Sequence, residues 1–157
     1  LRQELLAQPA PAPVKLEVEA IYRGVAEFDE QKMHRVIHNI SRNAAEAMPN
    51  GGTFRVVLDR EGDDLVFEFA DTGVGVPAEL EHRLFDPFVS SGKAEGTGLG
   101  LAVVKKIVEE HAGRVSFRSI AGEGTTFRIV IPVARVAQPA APKEPTDVSG
   151  ERAAQAS

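Results

Sequence analysis

The sequence predicts an α+β fold, a two-layer α/β sandwich in which a mixed, mostly antiparallel sheet carries its helices on one face. Its apolar residues recur at two periods, alternating in some segments and following helical spacing in others. Neighbouring pairs of strand-like segments outnumber those separated by a helix, which favours antiparallel hairpins. The chain has 157 residues, of which 43% are hydrophobic, so we expect one domain around one core.

The composition excludes several classes of protein. The sequence has no cysteine, which rules out disulfides, thiolate zinc sites and cysteine nucleophiles. Its net charge of -5 comes with no basic block, so we expect no binding to nucleic acid. No apolar stretch approaches the ~20 residues that cross a bilayer. We therefore expect a soluble, cytoplasmic domain that makes no contact with a membrane.

Both ends are predicted to lie outside that domain. Residues 1–13 hold a stiff, proline-rich spacer. The three leucines before the spacer are either a frayed terminus or the last turn of a helix whose body lies upstream. Residues 134–157 are rich in alanine and contain no aromatic residue, so we predict a disordered tail. The domain is assigned to residues 14–133.

Along the domain, the two periods predict nine segments in the order β-β-α-β-β-α-α-β-β. Asp29 is predicted to cap the first helix, because its carboxylate can accept hydrogen bonds from the free N–H groups of the first turn. Pro49 to Gly52 is predicted to end that helix, and Pro77 to open the short second one. The strands are predicted at Lys15–Tyr22, Gly24–Phe28, Phe54–Leu58, Leu65–Phe69, Val115–Phe117 and Phe127–Ile131. The helices are predicted from the Asp29 cap to Met48, at Pro77–Arg83 and at Leu99–His111.

The first of three polar groups that could carry chemistry lies on the long helix. Asn39 and Asn43 are spaced i, i+4, so both amides lie on one face, beside the apolar stripe. Neutral amide oxygens are ligands that Mg²⁺ accepts alongside water and phosphate. Taken alone, the two are better explained as ordinary surface asparagines.

The second group follows the strand that ends near residue 70. Asp71 can accept a hydrogen bond from an exocyclic amine such as that of adenine, and Gly73 and Gly75 let the backbone pass close to a flat ring. Asp and Gly also favour a strand-ending turn, so both interpretations stay open.

The third group is a glycine-rich loop, from Gly92 to Gly98, that leads directly into a helix. The free N–H groups and the dipole of a helix N-terminus favour phosphate, and Lys93 can meet the outer phosphates as a point charge. The alternative is a flexible connector. It is disfavoured by the alternation of glycine with other residues: Gly96, Thr97, Gly98, Leu99, Gly100 and Leu101.

Together these groups resemble the ATP-binding catalytic domain of sensor histidine kinases, in the Bergerat-fold superfamily shared with DNA gyrase and MutL. The resemblance covers roughly residues 14–132 and is greatest to the nitrogen-regulator type, with Asn-Ala-x-Glu-Ala-Met and a short Ser-Gly-Lys lid. Four motifs occur in the family's order, with Gly-Glu-Gly-Thr-Thr-Phe after them: the N box at 38–44, the G1 box at 71–75, the F box at 85–88 and the G2 box at 96–101.

The resemblance implies that the chain binds Mg·ATP, and it gives the base and the metal their residues. Asp71 would recognise the adenine amino group, with a water shared by Thr125. Asn43 would ligate Mg²⁺, and Asn39 would lie close by.

For the phosphates, the resemblance implies that Lys93 approaches the β- or γ-phosphate, acting in catalysis with the two asparagines. Phe85 and Phe88 would anchor the lid. The residues expected to lie against the nucleotide and its phosphates are Gly73, Gly75, Phe88, Gly96, Thr97, Gly98, Leu99, Gly100 and Leu101.

The resemblance also implies a reaction, transfer of the γ-phosphoryl group to a histidine of a separate dimerisation domain and from there to a response regulator. The phosphoacceptor motif of the family, His-Glu or His-Asp followed by a basic residue and Pro-Leu, does not occur here. The four histidines are better explained by packing or solvation. We therefore expect a catalytic domain whose acceptor lies elsewhere, and the resemblance implies that residues 1–7 are the end of a dimerisation helix.

Two alternatives stay open. ATP hydrolases and anti-sigma-type serine kinases of the superfamily carry a glutamate general base where this sequence has Asn39, whose amide cannot take a proton. Glu46 is the candidate stand-in, although a solvated helix charge explains it better. A non-catalytic nucleotide-sensing module would keep the same binding residues, so the sequence does not separate it from a kinase.

Overall fold

The computed structural model describes residues 13–24, 26–89 and 98–133. The expectations for residues 1–12, for the loop at 90–97 and for the tail from residue 134 lie outside these ranges. Within them the chain forms β1 (Val14–Ala20), α1 (Glu30–Ala47), β2 (Gly52–Glu61), β3 (Asp64–Asp71), α2 (Ala78–Glu81), α3 (Gly100–Glu110), β4 (Arg114–Ile120) and β5 (Gly124–Pro132). No helix in these ranges has the length and apolar character needed to span a bilayer.

The strands form a five-stranded sheet in the order β1-β2-β3-β5-β4. β1 runs parallel to β2, and the other three pairings are antiparallel. The prediction of a mixed, mostly antiparallel sheet is therefore confirmed. The β2–β3 hairpin turns at Gly62, whose φ of 63° is a left-handed conformation that glycine adopts without strain.

The strand predicted at Gly24–Phe28 is wrong, because residues 26–28 form no regular structure. The periodicity suggested a hairpin before α1. Instead, β1 and β2 are parallel neighbours joined through α1. A parallel pair needs a crossover, so the residues after β1 leave the sheet to reach the start of the helix.

Helix α1 begins and ends where its sequence directs. The Asp29 side chain accepts a hydrogen bond from the backbone N–H of Lys32 at 3.0 Å, which satisfies one of the free donors of the first turn. The helix ends at Ala47, and the following turn contains Gly51 with a φ of 83°. One stripe of the helix is buried: Met33, Val36, Ile40 and Ala44.

The core lies between the helices and one face of the sheet. Alternate residues of β2, β3 and β5 point into it, and α3 contributes Val104, Ile107 and Val108. The opposite face carries charges in a cross-strand network, in which Arg55 pairs with Glu19 at 2.6 Å and Arg128 pairs with Glu61 and Glu68. This division into an apolar and a charged face is the two-layer arrangement that the alternating pattern predicted.

Candidate functional site

The two asparagines of α1 lie beside its buried stripe, as predicted. Both side chains are half-buried, and neither amide forms a hydrogen bond with residues 13–24, 26–89 or 98–133. A Cβ placed on Gly100 would lie 3.7 Å from Oδ1 of Asn39, so this amide faces the first residue of α3. Amide oxygens that have no partner in the described part of the chain are available to bind a ligand.

Helix α3 opens beside Asn39 without a side-chain cap. Its N-cap residue is Leu99, whose side chain cannot accept a hydrogen bond, and its first turn contains no acidic residue. The backbone N–H groups of Gly100, Leu101 and Ala102 precede the first intrahelical donor, Val103, which bonds to the Leu99 carbonyl at 3.0 Å. These donors and the helix dipole favour an anion.

A backbone hydrogen bond joins residues on either side of the segment 90–97. Phe88 donates its backbone N–H to the Gly98 carbonyl at 2.9 Å. Gly98 has a φ of 65°, and a Cβ there would lie 2.7 Å from backbone atoms of Phe88, so only glycine fits. The predicted site residues Lys93, Gly96 and Thr97 fall in the part of this loop that lies outside the described residues.

The two phenylalanines of the F box play different structural parts. Phe85 packs edge-on against Phe117 and Phe127, with ring centroids 5.9 and 6.3 Å away. The Phe88 side chain is 78% exposed, and its φ of 64° is a left-handed conformation that L-residues with a Cβ rarely adopt. Phe85 therefore contacts the core through its ring, whereas Phe88 holds the base of the loop through its backbone.

Asp71 ends β3 and is one of two buried polar residues identified within the described ranges, with 7% of its surface exposed. Its Oδ1 accepts hydrogen bonds from the backbone N–H groups of Gly73 at 2.9 Å and Thr125 at 3.2 Å. Oδ2 has no hydrogen-bond donor among the described residues. Burial raises the pKa of the carboxyl above its ordinary value, and the two donors offset part of that rise.

The loop after Asp71 is docked onto the end of α1. Val74 donates its N–H to the Ala47 carbonyl at 3.0 Å, and a Cβ on Gly73 would lie 2.6 Å from the same oxygen. Gly73 is therefore required by close packing. Ala47 lies one helical turn beyond Asn43, so the asparagine face of α1 leads directly to this loop.

The other side of the loop is docked onto β4 and β5 through a residue that the sequence analysis missed. Ser119 accepts the N–H of Val76 at 2.7 Å, and its hydroxyl also lies 3.2 Å from the Gly124 carbonyl and 3.1 Å from the Thr125 hydroxyl. Gly75, with a φ of 76°, fits here because a Cβ would lie 2.5 Å from the Ile120 carbonyl. The only sequence signal was that Ser119 lies two residues beyond Phe117, on the same face of its strand.

These contacts bring the described site residues into one continuous wall. It runs from Thr125 and Asp71, along the loop at 73–76, past Asn43 and Asn39, to the start of α3. A carboxylate lies at one end, uncapped helix N–H groups lie at the other, and amide oxygens lie between them. The wall therefore offers separate partners for an amine, a cation and an anion.

The wall suits a cation that arrives together with an anion. The described residues contain no cluster of three or more His, Cys, Asp or Glu side chains able to hold a metal ion. Asn39 and Asn43 provide neutral oxygens on one helix face, which fit Mg²⁺ when phosphate and water supply the remaining ligands.

Comparison with known proteins identifies the family to which the chain belongs. The family model "Histidine kinase-, DNA gyrase B-, and HSP90-like ATPase" matches residues 28–135. The nitrogen regulation protein NtrY of Azorhizobium caulinodans is 39% identical over 132 residues, which cover 79% of this chain and 16% of NtrY. The alginate biosynthesis sensor protein KinB of Pseudomonas aeruginosa is 36% identical over 108 residues, covering 68% and 18%. The chain thus spans less than a fifth of the length of these two relatives.

Solved structures show the same fold. The mycobacterial sensor histidine kinase MprB superposes with a TM-score of 0.69 at 29% identity, over 76% of this chain and 84% of that one. Full-length ShkA, solved in complex with AMPPNP, gives a TM-score of 0.69 at 25% identity, over 77% and 26%. The family model matches more than half of the chain, and each of these relatives and structures covers at least two thirds of it. The chain therefore belongs to the histidine kinase-, DNA gyrase B- and HSP90-like ATPase family, as an ATP-binding catalytic domain of the sensor histidine kinase type.

Proposed function

We propose that this chain binds Mg·ATP and transfers the γ-phosphoryl group to a histidine on a separate dimerisation domain, which passes it to a response regulator. One observation carries the proposal: the wall from Asp71 to the start of α3 offers an acceptor, amide oxygens and free N–H groups in the order in which ATP needs them. ATP and response regulators occur in the cytoplasm, which is where the proposed reaction would take place.

At the base end, Asp71 recognises the adenine amino group. Its Oδ1 is held by two backbone N–H groups, and Oδ2 remains to accept a hydrogen bond from the ligand. A carboxylate accepts but does not donate when ionised, so it favours an amino group over the carbonyl oxygen of guanine. Thr125 lies opposite Asp71 in the β3–β5 pair and contributes its hydroxyl.

At the phosphate end, the open N-terminus of α3 receives the phosphates, and Lys93 approaches the outer ones from the glycine-rich loop. Asn43 holds Mg²⁺, with Asn39 beside it. A Mg²⁺ ion held by these residues would supply neutralisation of charge on the phosphate oxygens.

The transfer forms a nitrogen–phosphorus bond at the acceptor imidazole and breaks the bond between the γ-phosphorus and the bridging oxygen, leaving ADP. A neutral imidazole is itself a nucleophile, so this chain needs to position the phosphate rather than to remove a proton. Such a reaction needs no general base, which fits a site that has the amide of Asn39 in the position of the glutamate base.

The ion pair between Glu46 and Arg42 supports a histidine rather than a serine acceptor. A serine hydroxyl needs a base, and Asn39 cannot act as one. Glu46, the candidate stand-in, forms an i, i+4 ion pair with Arg42 at 2.8 Å and is exposed. Because this carboxylate is engaged by Arg42, we do not assign the role of general base to Glu46 or this chain to the serine kinases.

The test has two steps. Calorimetry with the 157-residue chain should detect ATP binding that Asp71→Asn abolishes. Radiolabelled ATP, mixed with the chain and the dimerisation domain of NtrY, should then label that domain, and a variant of it lacking the acceptor histidine should stay unlabelled. If the chain bound ATP but did not transfer phosphate to this acceptor domain, the result would support a nucleotide-sensing module instead.

A further inference from the structure

Ser119 lies at the centre of the contacts that hold the adenine end of the wall together. Its Oγ accepts the N–H of Val76 at 2.7 Å, which fastens the loop after Asp71. It also lies 3.2 Å from the carbonyl of Gly124 and 3.1 Å from the hydroxyl of Thr125. The side chains of Asp71, Thr125 and Ser119 form one row, because these residues are partners across β3, β5 and β4.

The number of protons in this cluster determines the direction of its hydrogen bonds. The Val76 N–H can only donate and the Gly124 carbonyl can only accept, whereas Ser119 has a single hydroxyl proton. All three contacts are satisfied together when Ser119 donates to Gly124 and Thr125 donates to Ser119. The hydroxyl proton of Thr125 is then committed, and its oxygen is left as an acceptor on the residue paired with Asp71 across β3 and β5.

Two hydrogen-bond acceptors, on Asp71 and Thr125, distinguish a purine with an exocyclic amino group from one with a carbonyl oxygen. An exocyclic amino group is a donor and suits both oxygens, directly at Asp71 and through the shared water at Thr125, whereas a carbonyl oxygen at the same ring position presents lone pairs to both. If Ser119 did not hold it, the Thr125 hydroxyl could rotate and donate to such a carbonyl. Rejection of the wrong purine would then rest on Asp71 alone.

We propose that Ser119 is a positioning residue for purine specificity, which fixes the loop after Asp71 and turns the Thr125 hydroxyl so that the site favours 6-amino over 6-oxo purine nucleotides. The proposal rests on the proposed function, since it requires that this end of the wall bind the base. Ser119 itself need not touch the nucleotide.

The test compares ATP with inosine triphosphate, which differs at this edge in carrying a carbonyl in place of the amino group. For Ser119→Ala we expect ATP affinity to fall roughly tenfold, as for one lost hydrogen bond, with inosine triphosphate affinity unchanged or higher. The ratio of the affinity for ATP to the affinity for inosine triphosphate therefore falls by about tenfold or more. Ser119→Thr keeps a hydroxyl and should keep the ratio, as should Ser116→Ala, an exposed serine of β4 on the opposite face.

The ratio separates positioning from stability, because a variant that is merely less stable loses affinity for both nucleotides equally. An unchanged ratio in Ser119→Ala, or an equal loss in Ser119→Thr, would overturn the proposal for Ser119 while leaving the nucleotide site intact. If the unaltered chain bound neither nucleotide, the proposed function would fail, and this proposal with it.

Discussion

Thr125 donates its backbone N–H to Oδ1 of Asp71 across the β3–β5 pair, at 3.2 Å. The bond fixes the carboxylate from the neighbouring strand, while the N–H of Gly73 fixes it from its own loop. Both donors are backbone groups, so the position of this carboxylate is set by the sheet and the loop and needs no other side chain. Its charge is nonetheless buried, and the desolvation of that charge lowers the stability of the nucleotide-free chain.

Asp71→Asn should stabilise the nucleotide-free chain and abolish ATP binding. The Oδ1 of asparagine can still accept both backbone donors, while the desolvated charge is removed, so we expect a gain of about 0.5–1 kcal/mol in unfolding free energy. Adenine recognition is lost because the amide NH₂ would face the base's own amino group. Urea unfolding and calorimetry of the same preparation measure both effects. A variant that loses both stability and binding would show that the carboxylate is structural.

The pH dependence of the free energy of unfolding should reveal the raised pKa of Asp71. Because the folded pKa is raised above the ordinary 3.8, the folded state holds a proton that the unfolded state has released in the interval between the two values. The contribution of Asp71 to stability is therefore present below that interval and is lost as pH rises through it. The stability advantage of Asp71→Asn should grow with pH across the interval and then stay constant. An advantage that shrinks with rising pH would contradict the raised pKa.

Asn43→Ala should weaken Mg·ATP binding about tenfold and leave the weaker Mg²⁺-free binding unchanged, because the metal loses one ligand while the adenine contacts remain. Alanine is the better helix former, so the variant should be no less stable than the parent. Its loss of affinity could not then be attributed to unfolding. Asn50→Ala, an exposed asparagine just beyond the helix, is the matched control. Equal losses with and without Mg²⁺ would remove Asn43 from the metal site.

Phe88→Gly should raise stability by about 1 kcal/mol, because the left-handed conformation of Phe88 costs an L-residue roughly that much and costs glycine nothing. The exposed ring contributes little burial that could be lost. Phe88→Ala keeps the unfavourable φ and should give no such gain. Thermal unfolding of the two variants side by side makes the comparison. If alanine stabilised as much as glycine, exposure of the ring rather than backbone strain would be the cause.

Local sequence rules predicted the elements whose determinants are close together in the chain. Asp29 caps α1 through a bond that spans three residues, and the β2–β3 hairpin forms around a turn of two residues. The strand predicted at Gly24–Phe28 failed because β1 pairs with β2 in parallel, and that pairing depends on residues more than thirty positions away.

The site residues also differ in whether their determinants lie close together or far apart in the chain. The motifs alone predicted Asp71, Asn39 and Asn43 as residues that meet a ligand. Ser119 was not predicted, because its bond to Val76 joins residues 43 positions apart and nothing in β4 alone marks it. Motifs identify residues that meet a ligand, whereas the residues that hold them in place become visible only when the strands are brought together.

The central claim is that the wall from Asp71 to α3 binds Mg·ATP through its adenine base and its phosphates at once. Calorimetric titration of the 157-residue chain with ATP, with and without Mg²⁺, and with GTP tests it most directly. We predict micromolar binding of ATP that Mg²⁺ strengthens and that GTP does not match. Equal binding of GTP, or no binding of ATP in either condition, would contradict the account.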